Sequence, residues 1–327
     1  MAGLGGGSAV VGGSAAPASG WGSAVVRGVD LLLGRPALWP IALAGFLARG
    51  GFVLLLVPIL PIPTAVGLAN SLGPTVVTAA GLPPGTVVML VVVGIATIAW
   101  FLIGGIVGAL ADIVLVEASS DGGAAAASRQ PGVGKERTGT ARLVARLVGI
   151  RIVALIPLAI AMVVTARPIF DALYRQLTAP SQVAEPLVAR IVADAAGPFA
   201  VVAAGWFIGE LLGGIAVRLA ILADLSLGRA VIGSLGLVMR RPLTTLATAV
   251  LASAGILLAL GPSLIASGVA WSRLHGLVAG GTDLTFALVS VIIVATWLAT
   301  LVFASVGSAW RGLLWSTDVG RAVTARR

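Results

Sequence analysis

Six stretches of this chain are each apolar over a length of about twenty residues, and that feature constrains the fold more than any other. A hydrocarbon core ~30 Å thick is crossed by ~20 residues of α-helix. Lipid offers no hydrogen bonds to the backbone, so each crossing segment must satisfy its own N–H and C=O groups, as a helix does. The stretches lie at about Ala37–Leu60, Val87–Leu115, Val148–Thr165, Phe199–Leu222, Leu243–Ser267 and Leu284–Ser308. The expected fold is all-α: a polytopic membrane bundle of six transmembrane helices plus interfacial amphipathic helices.

Composition enters here to exclude a soluble alternative. Apolar residues make up 58% of the chain, 44 of its 327 residues are glycine, and charged residues supply only 10%, against ~25% in soluble domains. The mean hydropathy is +1.09. So little charge cannot cover a globule of this size, and lipid is the expected main solvent.

The basic residues set an orientation, because basic flanks stay in the cytoplasm. Arg27, Arg35, Arg129, Lys135, Arg137, Arg142, Arg146, Arg151, Arg218, Arg229, Arg240, Arg241, Arg311, Arg321, Arg326 and Arg327 fall on one side of the expected spans. Only Arg167, Arg175, Arg190 and Arg273 fall on the other, and Arg49 lies inside the first span. Both termini are therefore expected to be cytoplasmic. The net charge of +9 is sorted by membrane side rather than gathered into one basic surface, which argues against nucleic acid as a partner. Of the basic residues only Lys135 is lysine, a bias expected of a high-GC bacterial genome and hence of a bacterial cytoplasmic membrane.

Between the spans the sequence divides further. Residues 1–24 are rich in Gly, Ala and Ser without a basic start or long apolar core, so a disordered tail is expected there rather than a signal peptide. Residues 25–316 form the expected membrane domain, and 317–327 a basic cytoplasmic tail. The inner connection 117–140 reads as a flexible linker, too poor in aromatic and β-branched residues for a core of its own. Its glycines around Lys135 lack the spacing of a phosphate-binding loop. In the outer connection 167–197, Ile169, Leu173, Leu177, Val183, Leu187 and Ile191 recur every four positions, as in short amphipathic helices on a membrane surface. Trp39, Trp271, Trp310 and Trp315 fall at expected interfaces, where an amphipathic ring is favourable, while Trp100, Trp206 and Trp297 lie deeper and read as packing.

Two local patterns echo along the chain. Asp30-Leu-Leu-Leu-Gly-Arg35-Pro36 precedes the first span and Gly236-Leu-Val-Met-Arg-Arg241-Pro242 the fifth. Each reads as an interfacial helix turning into a membrane helix, since a proline at a helix start loses no hydrogen bond. Gly104-Gly-Ile-Val-Gly-Ala-Leu-Ala-Asp112 in span two resembles the Gly213-Gly stretch running to Asp224 in span four. The helix Leu227–Ala230 opens with Leu-Gly-Arg-Ala before span five. This layout, covering roughly residues 26–311, resembles a group of six-span bacterial membrane proteins related to the membrane domain of glycerophosphoryl diester phosphodiesterases. The resemblance implies a membrane scaffold without the separate catalytic barrel of those enzymes, for which the chain has no room.

The few charges inside spans are the candidate functional residues, because each costs about 2.5–3.5 kcal/mol at a helix centre and must be compensated. Arg49 and Glu210 lie near the middle of spans one and four, and Asp112 and Arg218 toward the cytoplasmic ends of spans two and four. Matching depths predict two pairs, Arg49 with Glu210 and Asp112 with Arg218, in separate layers about 12 Å apart. Gly104 and Gly108 share a stripe with Asp112; Gly214 shares one with Glu210 and Arg218, beside Gly205, Gly209 and Gly213. Small residues at i+4 let helices approach closely, so spans two and four are expected at the bundle centre.

Two readings follow. The first is a scaffold or accessory protein whose charges fix helix register, with the bilayer, a membrane-protein partner or a second copy as its partner. The alternative is a small-solute or ion transport component in which Glu210 and Asp112 line a polar path. No catalytic, metal or cofactor site is expected, since His275 is the single histidine, cysteine is absent and no serine/histidine or paired-aspartate pattern occurs; an enzyme is the least supported class.

Overall fold

The computed structural model describes residues 21–56, 84–120, 136–178, 187–278 and 284–324. Among them the chain is an all-α bundle with no strand, and six helical segments are long and apolar enough to cross a membrane. In chain order the elements are α1 (Trp21–Gly34), α2 (Leu38–Phe46), a π-helical segment (Leu47–Gly51), α3 (Phe52–Leu56), α4 (Pro84–Ser120), α5 (Glu136–Ala154) and α6 (Ile156–Thr178). They continue as α7 (Leu187–Asp194), α8 (Ala196–Leu222), α9 (Leu227–Arg240), α10 (Pro242–Val278) and α11 (Leu284–Thr324).

The two Arg-Pro sequences mark the expected breaks. Arg35 and Pro36 separate α1 from α2, and Pro242 opens α10 directly after α9. Arg35 also donates to the Ala118 carbonyl of α4 at 3.2 Å, and Trp39 Nε1 to the Leu32 carbonyl of α1 at 3.1 Å, so free carbonyls at both helix ends gain donors. Pro157 has a comparable effect in span three, where the chain breaks at Leu155 and continues as α6.

Several helices outrun the expected spans. α11 is 41 residues long, about 60 Å at 1.5 Å per residue, or twice a hydrocarbon core. Span ends were expected where charge begins, but Arg311 and Asp318 stay within this helix. The tail expected from 317 is therefore helical to Thr324, with Val319 and Ala322 buried. Likewise α1 starts at Trp21 inside the expected N-terminal tail: Ala24 is buried, and Trp21 Nε1 donates to Thr248 Oγ1 at 2.9 Å. The rest of that tail, residues 1–20, lies outside the described residues, as do linker residues 121–135. In the connection 167–197, α6 runs on to Thr178 and α7 covers Leu187–Asp194, while residues 179–186 lie outside the described residues.

The core lies toward one end of the bundle. Ala109–Ala118 of α4, Ile215–Ala220 of α8 and Ala304–Ala322 of α11 carry the densest runs of buried positions, and α1 and α9 pack against the same end. At the other end Val87–Ile103 of α4 and much of Leu284–Phe303 of α11 present large apolar side chains outward, as lipid-facing helix surfaces do. Trp315, expected at an interface, is instead in this core, and Trp310 packs over Gly255, where a Cβ would stand 2.0 Å from its ring.

The glycine stripes work as close-contact surfaces, but not between spans two and four. Gly104 and Gly108 face span one: a Cβ on Gly104 would sit 2.1 Å from the Ala48 carbonyl oxygen. Gly205, Gly209 and Gly213 face the break in span three, where added Cβ atoms would meet the Pro157 carbonyl at 2.8 Å, the Ala154 carbonyl at 2.2 Å and the Ala154 side chain at 2.7 Å. Gly214 meets only the Arg218 guanidinium, at 3.8 Å. Each stripe was legible, but its partner helix was not.

Candidate functional site

Span one is interrupted where its arginine lies. The π-helical segment Leu47–Gly51 widens the helix, and Gly50 has φ +95° and ψ 4°, a left-handed conformation that only glycine adopts without steric cost. The segment is held against α4 by Gly104 and Gly108. Gly108 also makes room for Arg49 itself, since a Cβ there would lie 2.7 Å from Arg49 Nε. The guanidinium reaches across α4 and donates from Nη2 to the Gly108 carbonyl at 2.6 Å.

From Arg49 an alternating chain of charges crosses the bundle. Arg49 Nη2 lies 2.9 Å from Asp112 Oδ2. The same oxygen accepts from Arg151 Nη2 of α5 at 3.1 Å, and Arg151 Nη1 lies 3.6 Å from Glu210 Oε2 of α8. Glu210 Oε1 then accepts a hydrogen bond from Arg311 Nη2 of α11. Each carboxylate thus sits between two guanidinium groups, whose attraction offsets the desolvation of all five charges.

This geometry overturns both expected pairs. Arg49 pairs with Asp112, and Glu210 pairs with Arg311 and Arg151. Arg218 has no ion-pair partner among the described residues; it donates to the Gly214 carbonyl at 2.7 Å and the Gly312 carbonyl at 3.3 Å. The two expected layers are one network, because residues separated along a helix can still reach a bridging side chain from a third. Arg151 is that bridge.

By position in the sequence Arg151 and Arg311 read as orienting flank charges, although a signal against that exists for both. Arg151 interrupts the apolar run Leu147–Ile160, inside the expected third span, and Arg311 lies less than one turn beyond Ser308 on a helix with no break. Arg151 is also in the last turn of α5, where the carbonyl end of the helix favours a cation.

These side chains surround a cavity of about 270 Å³, just below the ~300–1,000 Å³ of pockets for drug-sized ligands. Arg49, Asp112, Arg151, Glu210, Arg218 and Arg311 all line it, with Phe46, Trp206 and Trp315 among its apolar walls. Exposure is graded: Arg49 and Glu210 side chains are 35% and 32% accessible, Asp112 only 3%. The chamber therefore has an open rim at Arg49 and Glu210 and a floor at Asp112 and Arg218. Trp206, read as packing, stands at this wall and is half exposed.

Elsewhere the ion pairs are peripheral. Arg146 Nη1 lies 2.8 Å from Asp224 Oδ1 and donates to the Leu225 carbonyl at 2.9 Å, tying α5 to the turn between α8 and α9, where Asp224 has φ 47°. Arg175 binds both carboxylate oxygens of Asp194, joining α6 to α7 at an exposed site.

No protein-family model, characterised protein or solved structure matches the chain.

Proposed function

We propose that this protein is a multi-pass component of a bacterial cytoplasmic membrane, with both termini cytoplasmic, that binds a small charged solute in its polar chamber and takes part in its transport. One observation carries the reading: span one breaks at Leu47–Gly51, and the break borders a cavity lined by six charged side chains. Irregular backbone within a membrane bundle is tolerated where it is buried in protein or lines a cavity. Discontinuous helices of this kind build the binding sites of secondary transporters. Catalysis is not part of the proposal.

A second reading, an integral scaffold or accessory protein, is favoured by the alternation of the network. Arg49, Asp112, Arg151, Glu210 and Arg311 come from five elements, and their mutual bonds would fix the register of the bundle without any solute. The resemblance of the sequence layout to the membrane domain of glycerophosphoryl diester phosphodiesterases, if it reflects kinship, implies a scaffold. In this reading α9 anchors the surface: it exposes Ile232, Leu235 and Met239 beside Arg240 and Arg241, suited to an anionic leaflet.

Reconstitution separates the two. Purified protein in proteoliposomes is assayed for flux of phosphate, chloride, sodium, potassium and protons. The transport reading expects a flux above protein-free vesicles that Glu210→Gln and Asp112→Asn abolish while the protein still assembles. Absence of any flux, or a flux indifferent to both substitutions, would leave the scaffold reading.

A further inference from the structure

The chamber does not balance its own charge. Four guanidinium groups, those of Arg49, Arg151, Arg218 and Arg311, face two carboxylates, those of Asp112 and Glu210. The formal excess is two positive charges. Three of the arginines share the two carboxylates, and Arg218 is left over.

Arg218 is the decisive residue. It is 4% exposed, lines the cavity floor, and its Nε has no hydrogen-bond partner. Its two partners are helical carbonyls: Gly214 precedes it by one turn, and the Gly312 carbonyl also accepts from Ser316 Oγ at 2.8 Å. Neither supplies a negative charge. A buried lysine could relieve such a position by losing its proton, but a guanidinium stays charged at any accessible pH. The carboxylate whose charge reaches it is Asp112, beyond ion-pair distance and already shared by Arg49 and Arg151, so the cavity beside Arg218 is where a further counter-charge fits. Arg151 Nε is also buried without a hydrogen-bond partner, although the Nη atoms of Arg151 pair with Asp112 and Glu210.

The chemistry of the donors narrows the ligand. Planar guanidinium forks match tetrahedral and carboxylate oxyanions with paired hydrogen bonds, more so than a spherical halide. An excess of two charges matches a phosphate or phosphomonoester, which carries about −1.5 to −2 near neutral pH. We infer that the chamber is a binding site for a doubly charged oxyanion of the phosphate class, held over the floor by Arg218 and entering past Arg49 and Glu210. The inference rests on the reading of the chamber as a binding site and adds its sign and chemical class. Two sources share this chemistry, inorganic phosphate and the headgroup of phosphatidic acid.

The test is equilibrium binding to the purified full-length protein in detergent, apart from any flux. Radiolabelled orthophosphate is titrated at constant ionic strength in one arm. In a second, mixed micelles carry phosphatidic acid, phosphatidylglycerol or phosphatidylcholine. Saturable binding near one per chain is expected for orthophosphate if the source is free solute, or for phosphatidic acid over the singly charged and zwitterionic lipids if it is a headgroup. Arg218→Gln is expected to weaken that binding at least tenfold and Arg218→Lys by less, with Arg175→Gln at the distant exposed pair without effect. Unliganded Arg218→Gln is expected to melt no lower than unliganded wild type, since it removes an uncompensated cation. Should that variant not fold, Arg218→Lys and competition by sulfate on the wild type still decide. Absence of saturable binding in both arms, or binding unchanged by loss of Arg218, would overturn the inference. Phosphate binding without flux would retain it and remove the transport reading; cation flux without phosphate binding would do the reverse.

Discussion

Asp112 Oδ2 lies 2.9 Å from Arg49 Nη2, so the carboxylate toward the C-terminal end of span two is joined to the arginine at the break in span one. The bond is possible because Gly108, one turn before Asp112, has no side chain to obstruct the guanidinium. A pairing by depth alone puts Arg49 opposite Glu210. A double-mutant cycle distinguishes the two: Arg49→Met with Asp112→Asn should show a coupling of at least about 1 kcal/mol in unfolding free energy, within the 0.5–3 kcal/mol typical of contacting residues. Arg49→Met with Glu210→Gln, linked through Asp112 and Arg151 rather than by direct contact, should show a distinctly smaller coupling. The reverse result would show that the pairing is misassigned.

Glycines of α4 offer a graded steric series. Gly104→Ala places its methyl 2.1 Å from the Ala48 carbonyl oxygen, a backbone atom, and should cost about 1–3 kcal/mol or more. Gly108→Ala meets the Arg49 side chain at 2.7 Å and should cost less, with part of the loss removed by Arg49→Met. Gly94→Ala has nothing within 4 Å and should be neutral or slightly stabilising through helix propensity. Thermal unfolding of the three variants in one detergent checks the order.

Gly50→Ala should destabilise the protein by about 1–3 kcal/mol, because an alanine at φ +95° is strained whatever space surrounds it. Gly50 also faces no atom within 4 Å, so the cost is conformational rather than steric. Gly50→Asn, which tolerates left-handed backbone better, should recover part of it. Equal losses for Ala and Asn would argue that the left-handed conformation is not what the position requires.

Exposed and enclosed ion pairs should behave differently. Arg175→Ala breaks a pair in which both side chains are partly accessible and should cost no more than about 1 kcal/mol. Arg151→Ala removes the bridge between Asp112 and Glu210 but leaves Arg49 and Arg311 to them, and should cost more, about 1–3 kcal/mol. High salt should narrow the first difference more than the second, since enclosed pairs are less screened.

Trp21→Phe removes the donor to Thr248 while keeping most of the ring, and should lower stability by about 0.5–1.5 kcal/mol. Thr248→Ala should give a comparable loss, and the double variant little more than either alone. Full additivity would place residue 21 outside the fold.

What the sequence determined was set by local chemistry. Six apolar runs of sufficient length make helices in lipid regardless of what surrounds them, and Arg-Pro at two helix starts needs only the missing proline N–H. The same is true of the identity of the unusual residues: Arg49, Asp112, Glu210 and Arg218 are all in the chamber, and Gly104, Gly108, Gly205, Gly209 and Gly213 all lie at close contacts. Their partners were a matter for the tertiary structure. Position along a helix supplies one coordinate, depth, whereas a contact depends also on the helix's rotation and on which neighbour it meets. Arg49 therefore found Asp112 rather than Glu210, and the stripes of spans two and four turned toward spans one and three. Helix ends were undetermined for the same reason: Arg151 and Arg311 look like flanking charges until two carboxylates from other helices neutralise them. The excess charge around Arg218 is the sharpest case, because compensation is a sum over five elements that no single segment contains.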